Sequence, residues 1–199
     1  MIPLGALLAP RDWDAEPAAG GLRLVRYPFG AAERLIPWGE VTEVCVGWAP
    51  PAVRVRSGEY LFVPATRVEA LATHAAAHGV PFVERRDLWS LILDPFLDTE
   101  HGPEWDEKLL QNLEAEGVTR AETLALRQDL ERPMLSLTAA TWEWVHYGLF
   151  DALLVKRPAT PLGRADFEAF CARAFALADR GSFQSSTAER LLAMFPKKT

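Results

Sequence analysis

The chain of 199 residues is long enough for one large domain or two small ones with a real hydrophobic core. Its 49% hydrophobic and 24% charged residues are typical of a globular protein and exclude a disordered one. A net charge of -6 disfavours nucleic acid as a partner, because duplex binding needs an excess of cations. The sequence has no uncharged run of the about 20 residues that a membrane span needs, and residues 1–10 lack the basic start of a signal peptide. We therefore expect a cytoplasmic protein.

The N-terminal half is predicted to contain about five antiparallel strands. Residues 10–21 mix proline, glycine and acidic residues, which predicts a loop. Strand-like alternation of apolar and polar residues follows within residues 22–63. Its clearest part is a hairpin over residues 53–63 that turns at Ser57-Gly58.

Helix starts are marked by residues that satisfy the free backbone amides of a first helical turn. Asp87 is predicted to cap a short helix that Pro95 limits. The S/T-x-x-E capping box, in which two side chains bond each other's backbone amides, occurs three times. These boxes are Thr66 with Glu69, Thr119 with Glu122, and Ser186 with Glu189.

The C-terminal half is predicted to be helical throughout. A helix opens at Gly102-Pro103 and closes at Gly117, and the next one is expected to end near Pro133. Residues 135–155 are predicted to form one long buried helix, and residues 167–178 carry the apolar stripe of another.

These elements predict an α+β fold. An N-terminal antiparallel sheet of about five strands with one or two helices is expected over residues 1–95, and a bundle of about five helices over residues 96–199. The segment 87–96 is expected to join the two parts, because no flexible linker separates them.

A local pattern resembles a known family. Residues 35–41 (LIPWGEV) form a Trp-containing strand followed by a short acidic turn, and the hairpin and a helix come next. In this respect residues 20–80 resemble bacterial pleckstrin-homology-like domains. The resemblance implies binding of peptides, lipids or other domains rather than catalysis. It assigns no functional residue here, because no binding motif of the family matches.

One candidate metal site combines the predicted long helix with an acidic run. Glu143, His146 and Asp151 fall on one arc of that helix, and E-x-x-H spacing holds ligands in carboxylate-bridged di-metal bundles. Carboxylate and imidazole ligands that suit a divalent cation also lie at Asp98, Glu100 and His101.

A structural role for these residues is the alternative. A buried carboxylate or imidazole is equally well satisfied by an arginine or a hydrogen-bond network. Acidic residues in the first turn of a helix, such as those after Pro103, are favoured by the helix dipole without any metal. A second E-x-x-H motif, which a di-metal bundle requires, does not occur in the sequence.

The function that best fits these patterns is binding of another protein without catalysis. Arg54, Arg56 and Trp144 are the candidate surface residues, since arginine clusters bind anionic groups and tryptophan is enriched at interface centres. The partner is expected to be another protein or a second copy of the chain, with no cofactor. The alternative is an enzyme that depends on a divalent metal at the candidate metal site.

Overall fold

A computed structural model of the protein describes residues 13–30, 33–97, 102–141, 146–157 and 163–195. Within them, eight strands form two sheets, and seven α-helices follow or flank the strands. The α+β class, with sheets in the N-terminal half and helices after them, is confirmed, although the strands exceed the about five predicted. No helix among the described residues is both long and apolar enough to cross a membrane.

The strands and helices keep a simple order along the chain. The strands are β1 (Asp14–Ala18), β2 (Gly21–Val25), β3 (Glu33–Ile36), β4 (Val41–Val46), β5 (Ala52–Val55), β6 (Tyr60–Phe62), β7 (Phe82–Arg85) and β8 (Phe183–Ser186). The helices are α1 (Val68–Ala77), α2 (Leu88–Leu93), α3 (Pro103–Ala115), α4 (Arg120–Thr141), α5 (Leu149–Lys156), α6 (Arg164–Ala178) and α7 (Ala188–Met194).

The strands pair in two separate sheets. One sheet has the order β1-β2-β3, and the other has the order β6-β5-β4-β7-β8. Only β4 and β7 pair in parallel, and the remaining neighbours are antiparallel. The consecutive residues Val44, Cys45 and Val46 of β4 are all buried, as expected for a central strand that is covered on both faces.

The first strand corrects the sequence prediction, which made residues 10–21 a loop. β1 pairs with β2, and its buried residues Ala15 and Pro17 alternate with the more exposed Asp14 and Glu16. This alternation is strand-like, but proline and acidic residues conceal it. Proline is compatible with β1 because an edge strand can leave one side of its backbone unpaired.

The chain divides into two compact units that are not consecutive in sequence. Of the described residues, the β-rich unit contains 13–86 and those from Phe183 onward, whereas the helical unit contains those between 87 and 182. In the β-rich unit β8 adds to β7, and α7 packs against α1. The expectation of helix alone beyond residue 95 is therefore wrong at β8.

The helical unit is built around α2 and its neighbours. Helices α3, α4, α5 and α6 all pack against α2. Leu88, Trp89, Ile92 and Leu93 of this short helix are buried at the centre of the unit, and the Trp89 indole N–H donates to the Ala174 carbonyl oxygen at 3.1 Å. A helix whose apolar residues are mostly buried is the expected centre of such a bundle.

Two predicted helix boundaries are wrong. Helix α4 continues through Pro133 to Thr141 instead of ending near the proline. Residues 146–148 are not helical, so the single helix predicted over residues 135–155 does not exist. A new helix begins after Gly148, whose backbone is extended and whose amide is bonded by the Asp151 carboxylate at 2.9 Å.

Some of the predicted helix caps are confirmed and others are not. Asp87 accepts a hydrogen bond from the Trp89 amide, and Thr119 accepts one from the Glu122 amide, so both are confirmed. The last helix is capped by Thr187, one residue beyond the predicted Ser186. Thr66 lies in a short 3-10 turn, and the N-cap of α1 makes no side-chain hydrogen bond.

Candidate functional site

The predicted metal ligands lie only partly within the described residues. Asp98, Glu100, His101 and Glu143 lie outside them, as does Trp144 of the predicted surface. His146 and Asp151 are described, but they do not share the arc of one helix. His146 lies in the non-helical segment before Gly148, and Asp151 lies in the first turn of α5.

Asp87 lies close to His146, where the N-termini of α2 and α5 approach each other. Its carboxylate accepts a hydrogen bond from the Trp89 amide at 2.9 Å and another from the Leu149 amide at 3.4 Å. A methyl group on Gly148 would lie 2.5 Å from Asp87 Oδ2 and 3.4 Å from His146 Nε2. The Asp87 carboxylate and the His146 imidazole therefore face the same glycine. We call Asp87, His146 and Gly148 the helix junction.

The charge state of the helix junction is set mainly by burial. Burial raises the pKa of Asp87 to about 6, although hydrogen bonds from the backbone amides of Trp89, Leu149 and Ser90 act in the opposite direction. Asp151 is engaged in capping, since its carboxylate accepts from the Gly148 amide. Among the described residues, no three side chains of histidine, cysteine, aspartate or glutamate are grouped so that they could hold a metal ion.

Sequence reasoning identified Asp87 only as the cap of α2. Its second partner, the amide of Leu149, is 62 residues away in the chain, so no local pattern relates the two. The glycine that lets the carboxylate approach is likewise distant. A raised pKa beside an imidazole is a common property of functional sites, but buried structural networks share it.

The two predicted surface arginines have different environments. Arg54 lies within β5, is partly buried and is the register partner of Glu43. Arg56 is exposed in the turn after β5. Its guanidinium donates to the Gly39 carbonyl oxygen at 3.1 Å and lies 3.7 Å from the Glu40 carboxylate. Of the two, only Arg56 is thus available to a partner as an exposed cation.

A shallow cleft is lined by Val55 and Ser57, the two chain neighbours of Arg56. Its volume is about 270 Å³. One side is formed by β3 and Pro37, and the other side by residues near the end of β5. The residues that line this β3 cleft are Arg34, Leu35, Ile36, Pro37, Glu40, Val55 and Ser57. Leu35 is 58% exposed, whereas Ile36 and Val55 of the same lining are buried.

One wall of the cleft is the open edge of a sheet. The strand β3 is the last strand of the three-stranded sheet, and the Ile36 carbonyl oxygen approaches Gly21 of β2 closely. Successive residues of a strand direct their N–H and C=O groups to opposite sides, so the backbone groups of Leu35 point away from β2. They face outward at the edge where the cleft lies.

The rim of the cleft carries charges of both signs. The Arg34 guanidinium lies 2.9 Å from the Glu59 carboxylate, a partly buried pair, whereas the pair between Arg56 and Glu40 is longer and exposed. An exposed pair at such a distance contributes little to stability, so its partners are easily redirected. The cleft therefore combines a lining of apolar and polar side chains, an open strand edge and, in the adjoining turn, the loosely engaged Arg56.

Comparison with known proteins identifies no relative of this chain. No family model matches the chain, and neither the curated proteins nor the solved structures give a significant match. The residues of the chain itself are thus the basis for any functional assignment.

Proposed function

We propose that the protein is a non-enzymatic protein-binding module that holds an extended segment of a partner in the β3 cleft. The observation that carries the proposal is the outward-facing backbone of Leu35 beside a cleft that Leu35 and Pro37 line together with polar side chains. Addition of a strand to an open sheet edge is a common mode of peptide recognition, in which backbone hydrogen bonds supply affinity and side-chain pockets supply specificity.

The chemistry of the cleft limits what the segment carries. Leu35, Pro37 and Val55 favour an apolar side chain, which would cover the exposed leucine. Arg56 favours a carboxylate placed beyond that side chain, since its existing ion pair is long and exposed. The resemblance of residues 20–80 to pleckstrin-homology-like domains implies binding of peptides or other domains and agrees with this proposal.

A selection from random peptides tests the proposal even though the partner is unidentified. Random peptides displayed on phage are selected on the whole chain, and the dissociation constants of the enriched peptides are measured by fluorescence anisotropy. We expect enriched peptides to pair an apolar residue with an acidic one. Leu35→Ala should weaken their binding at least tenfold, because it removes most of the apolar contact.

Two further variants make the test specific. Leu35→Pro removes the outward N–H but leaves the pairing with β2 intact, so binding should be lost while the protein stays folded. Leu124→Ala removes another half-exposed leucine, from α4, and should not change binding. Enriched peptides that bind Leu35→Pro as tightly as the parent would overturn the proposal, as would a selection that enriches none.

The helix junction supports a second candidate function, an enzyme that depends on a divalent metal. His146 and Asp87 face the same glycine, and carboxylate with imidazole is a ligand combination for such ions. Mass spectrometry of protein purified without chelator or histidine tag would measure its metal content. Near-stoichiometric metal that is lost in the Glu143→Ala, His146→Ala double variant would favour the enzyme, and metal-free folded protein would reject it.

A further inference from the structure

The strand β8 forms an open edge at the end of the five-stranded sheet. The Val44 amide of β4 donates to the Pro81 carbonyl oxygen at 2.9 Å. In a parallel pair, this hydrogen bond means that the N–H and C=O groups of Val83 and Arg85 in β7 point toward β4. Because these groups alternate along a strand, those of Phe82 and Glu84 point toward β8. Their register partners are Ser186 and Gln184.

The backbone groups of the other two residues of β8 therefore point away from the sheet. These are Phe183 and Ser185, and within the described part of the chain no residue hydrogen-bonds to their outward N–H and C=O groups. Two donors and two acceptors are thus available along this edge. They are spaced as a further antiparallel strand requires.

This edge lacks the features that usually prevent strand addition. Residues 181–188 contain no charged side chain and no proline. Natural edge strands are commonly protected by charges, prolines or bulges, and β3 does carry Glu33 and Arg34. The Phe183 ring is 61% exposed, yet it is held in place by the Arg85 guanidinium, 4.5 Å from the ring centroid. The Arg85 side chain is itself buried and paired with Glu43 at 2.9 Å.

The charges next to β8 also favour a neutral occupant. Glu84, the register partner of Gln184, lies 3.5 Å from the Arg190 guanidinium, so its charge is compensated. Arg85 is compensated by Glu43. Neither an acidic nor a basic segment gains from this surface, whereas a second uncharged β8 meets no like charge.

We propose that the occupant is a second copy of this chain, which adds its own β8 antiparallel to the first across a twofold axis at Gln184. Outward-facing residues must oppose outward-facing residues, so Phe183 pairs with Ser185 of the other copy in both directions. Gln184 then faces Gln184, and each amide side chain both donates and accepts. The two five-stranded sheets become one continuous sheet, and the interface is isologous.

This inference goes beyond the proposed function and is independent of it, because it concerns β8 and not the β3 cleft. Loss of peptide binding would leave self-association unchanged, and monomeric protein would leave the peptide selection unchanged. The two proposals are therefore tested by different variants.

A cysteine at the twofold axis gives the sharpest test. Opposed residues that are not hydrogen-bonded to each other lie about 4.5 Å apart at Cα, which is within the range of a disulfide. We expect Gln184→Cys to form a disulfide-linked dimer under mild oxidation. Ser186→Cys is the matched control: its two copies would be separated by more than about 10 Å and should not be linked. The native Cys45 and Cys171 are buried and serve as an internal background.

Sedimentation of the whole chain completes the test. The parent protein should be a concentration-dependent dimer. Ser185→Pro removes one outward N–H, and Ser185→Lys places two cations near the axis, so both should sediment as folded monomers, which circular dichroism would check. A parent that remains monomeric at high concentration overturns the proposal. Equal cross-linking of Gln184→Cys and Ser186→Cys, or dimers that persist in both Ser185 variants, would also overturn it.

Discussion

The Asp87 side chain accepts hydrogen bonds from the first turns of two helices. Its carboxylate receives amide hydrogen bonds at the starts of α2 and α5, where helix dipoles favour an anion. Burial nevertheless raises its pKa from 3.8 to about 6, so desolvation outweighs these hydrogen bonds. The charged form of the Asp87 carboxylate therefore destabilises the folded state, although it accepts hydrogen bonds at both helix starts.

This balance predicts a pH dependence of stability. Because the folded protein binds the Asp87 proton more tightly than the unfolded one, the free energy of unfolding should fall as pH rises from about 4 to 6. The contribution is at most about 3 kcal/mol, from 1.36 kcal/mol for each unit of pKa. Urea unfolding at several pH values should show that Asp87→Asn removes this slope. A slope that is equal in parent and variant would contradict the assignment.

Gly21 is required by the close approach of β2 and β3. Its φ is +145°, and a methyl group there would lie 2.1 Å from the Ile36 carbonyl oxygen. Gly21→Ala should therefore lower the free energy of unfolding by about 2 kcal/mol or more. Gly58→Ala is the control, since Gly58 also has a positive φ but has open space around it. Chemical denaturation should show a clearly smaller loss for Gly58→Ala, and equal losses would mean that the steric contact is unimportant.

At the scale of elements, several local signals in the sequence predict the structure, whereas features that depend on distant partners do not follow from it. The hairpin at Ser57-Gly58, the cap at Asp87 and the helix that opens at Gly102-Pro103 each depend on a few adjacent residues, and all are confirmed. The strand β1 does not follow from the sequence, because proline and acidic residues conceal its alternation and only its pairing with β2 shows it. The break at residues 146–148 was missed because nearby apolar residues continue the helical pattern.

The passage of α4 through Pro133 has a physical explanation in burial. Leu130, Met134 and Leu137 form a buried stripe on both sides of the proline. Burying such side chains contributes about 1.5–3 kcal/mol each, and a proline within a helix costs about 3 kcal/mol. Burial thus outweighs the local preference that predicted a helix end.

Replacing this proline should therefore stabilise the protein. Pro133→Ala restores an amide that can donate within α4, so the melting temperature should rise, with a gain of up to about 3 kcal/mol. Pro103→Ala is a matched control: Pro103 is the first residue of α3, where no intrahelical amide bond is lost. Thermal unfolding of both variants tests this prediction, and a lower melting temperature for Pro133→Ala would contradict it.

At the scale of the whole molecule, the return of the chain from the helical unit completes the β-rich unit. Leu191 of α7 is fully buried, whereas the adjacent Leu192 is 37% exposed. Leu191→Ala should lower stability by about 2–5 kcal/mol, and Leu192→Ala should have little effect. Hydrogen exchange should show lost protection in α1 and β7 for the first variant alone. Unchanged protection there would contradict a structural role of α7 in this unit.

The candidate sites are also hard to predict from sequence, because they combine residues from distant parts of the chain. Arg56 was identified because an exposed strand pattern is visible locally. The cleft beside it was not, since Leu35 and Val55 come from separate stretches of the chain. The open edge of β8 was missed for a different reason: a short run of serine and glutamine has weak strand propensity and was not distinguished from a loop.

The interrupted order of the β-rich unit has a consequence for biosynthesis. On the ribosome, residues up to Arg86 emerge first, but their partners β8 and α7 emerge only after the whole helical unit. At ordinary translation speeds this delay is on the order of ten seconds. During that interval the nascent β7 lacks its outer neighbour and α1 lacks its covering helix. The helical unit can thus be completed first, and the N-terminal half of the newborn chain is the part that a chaperone would need to shield.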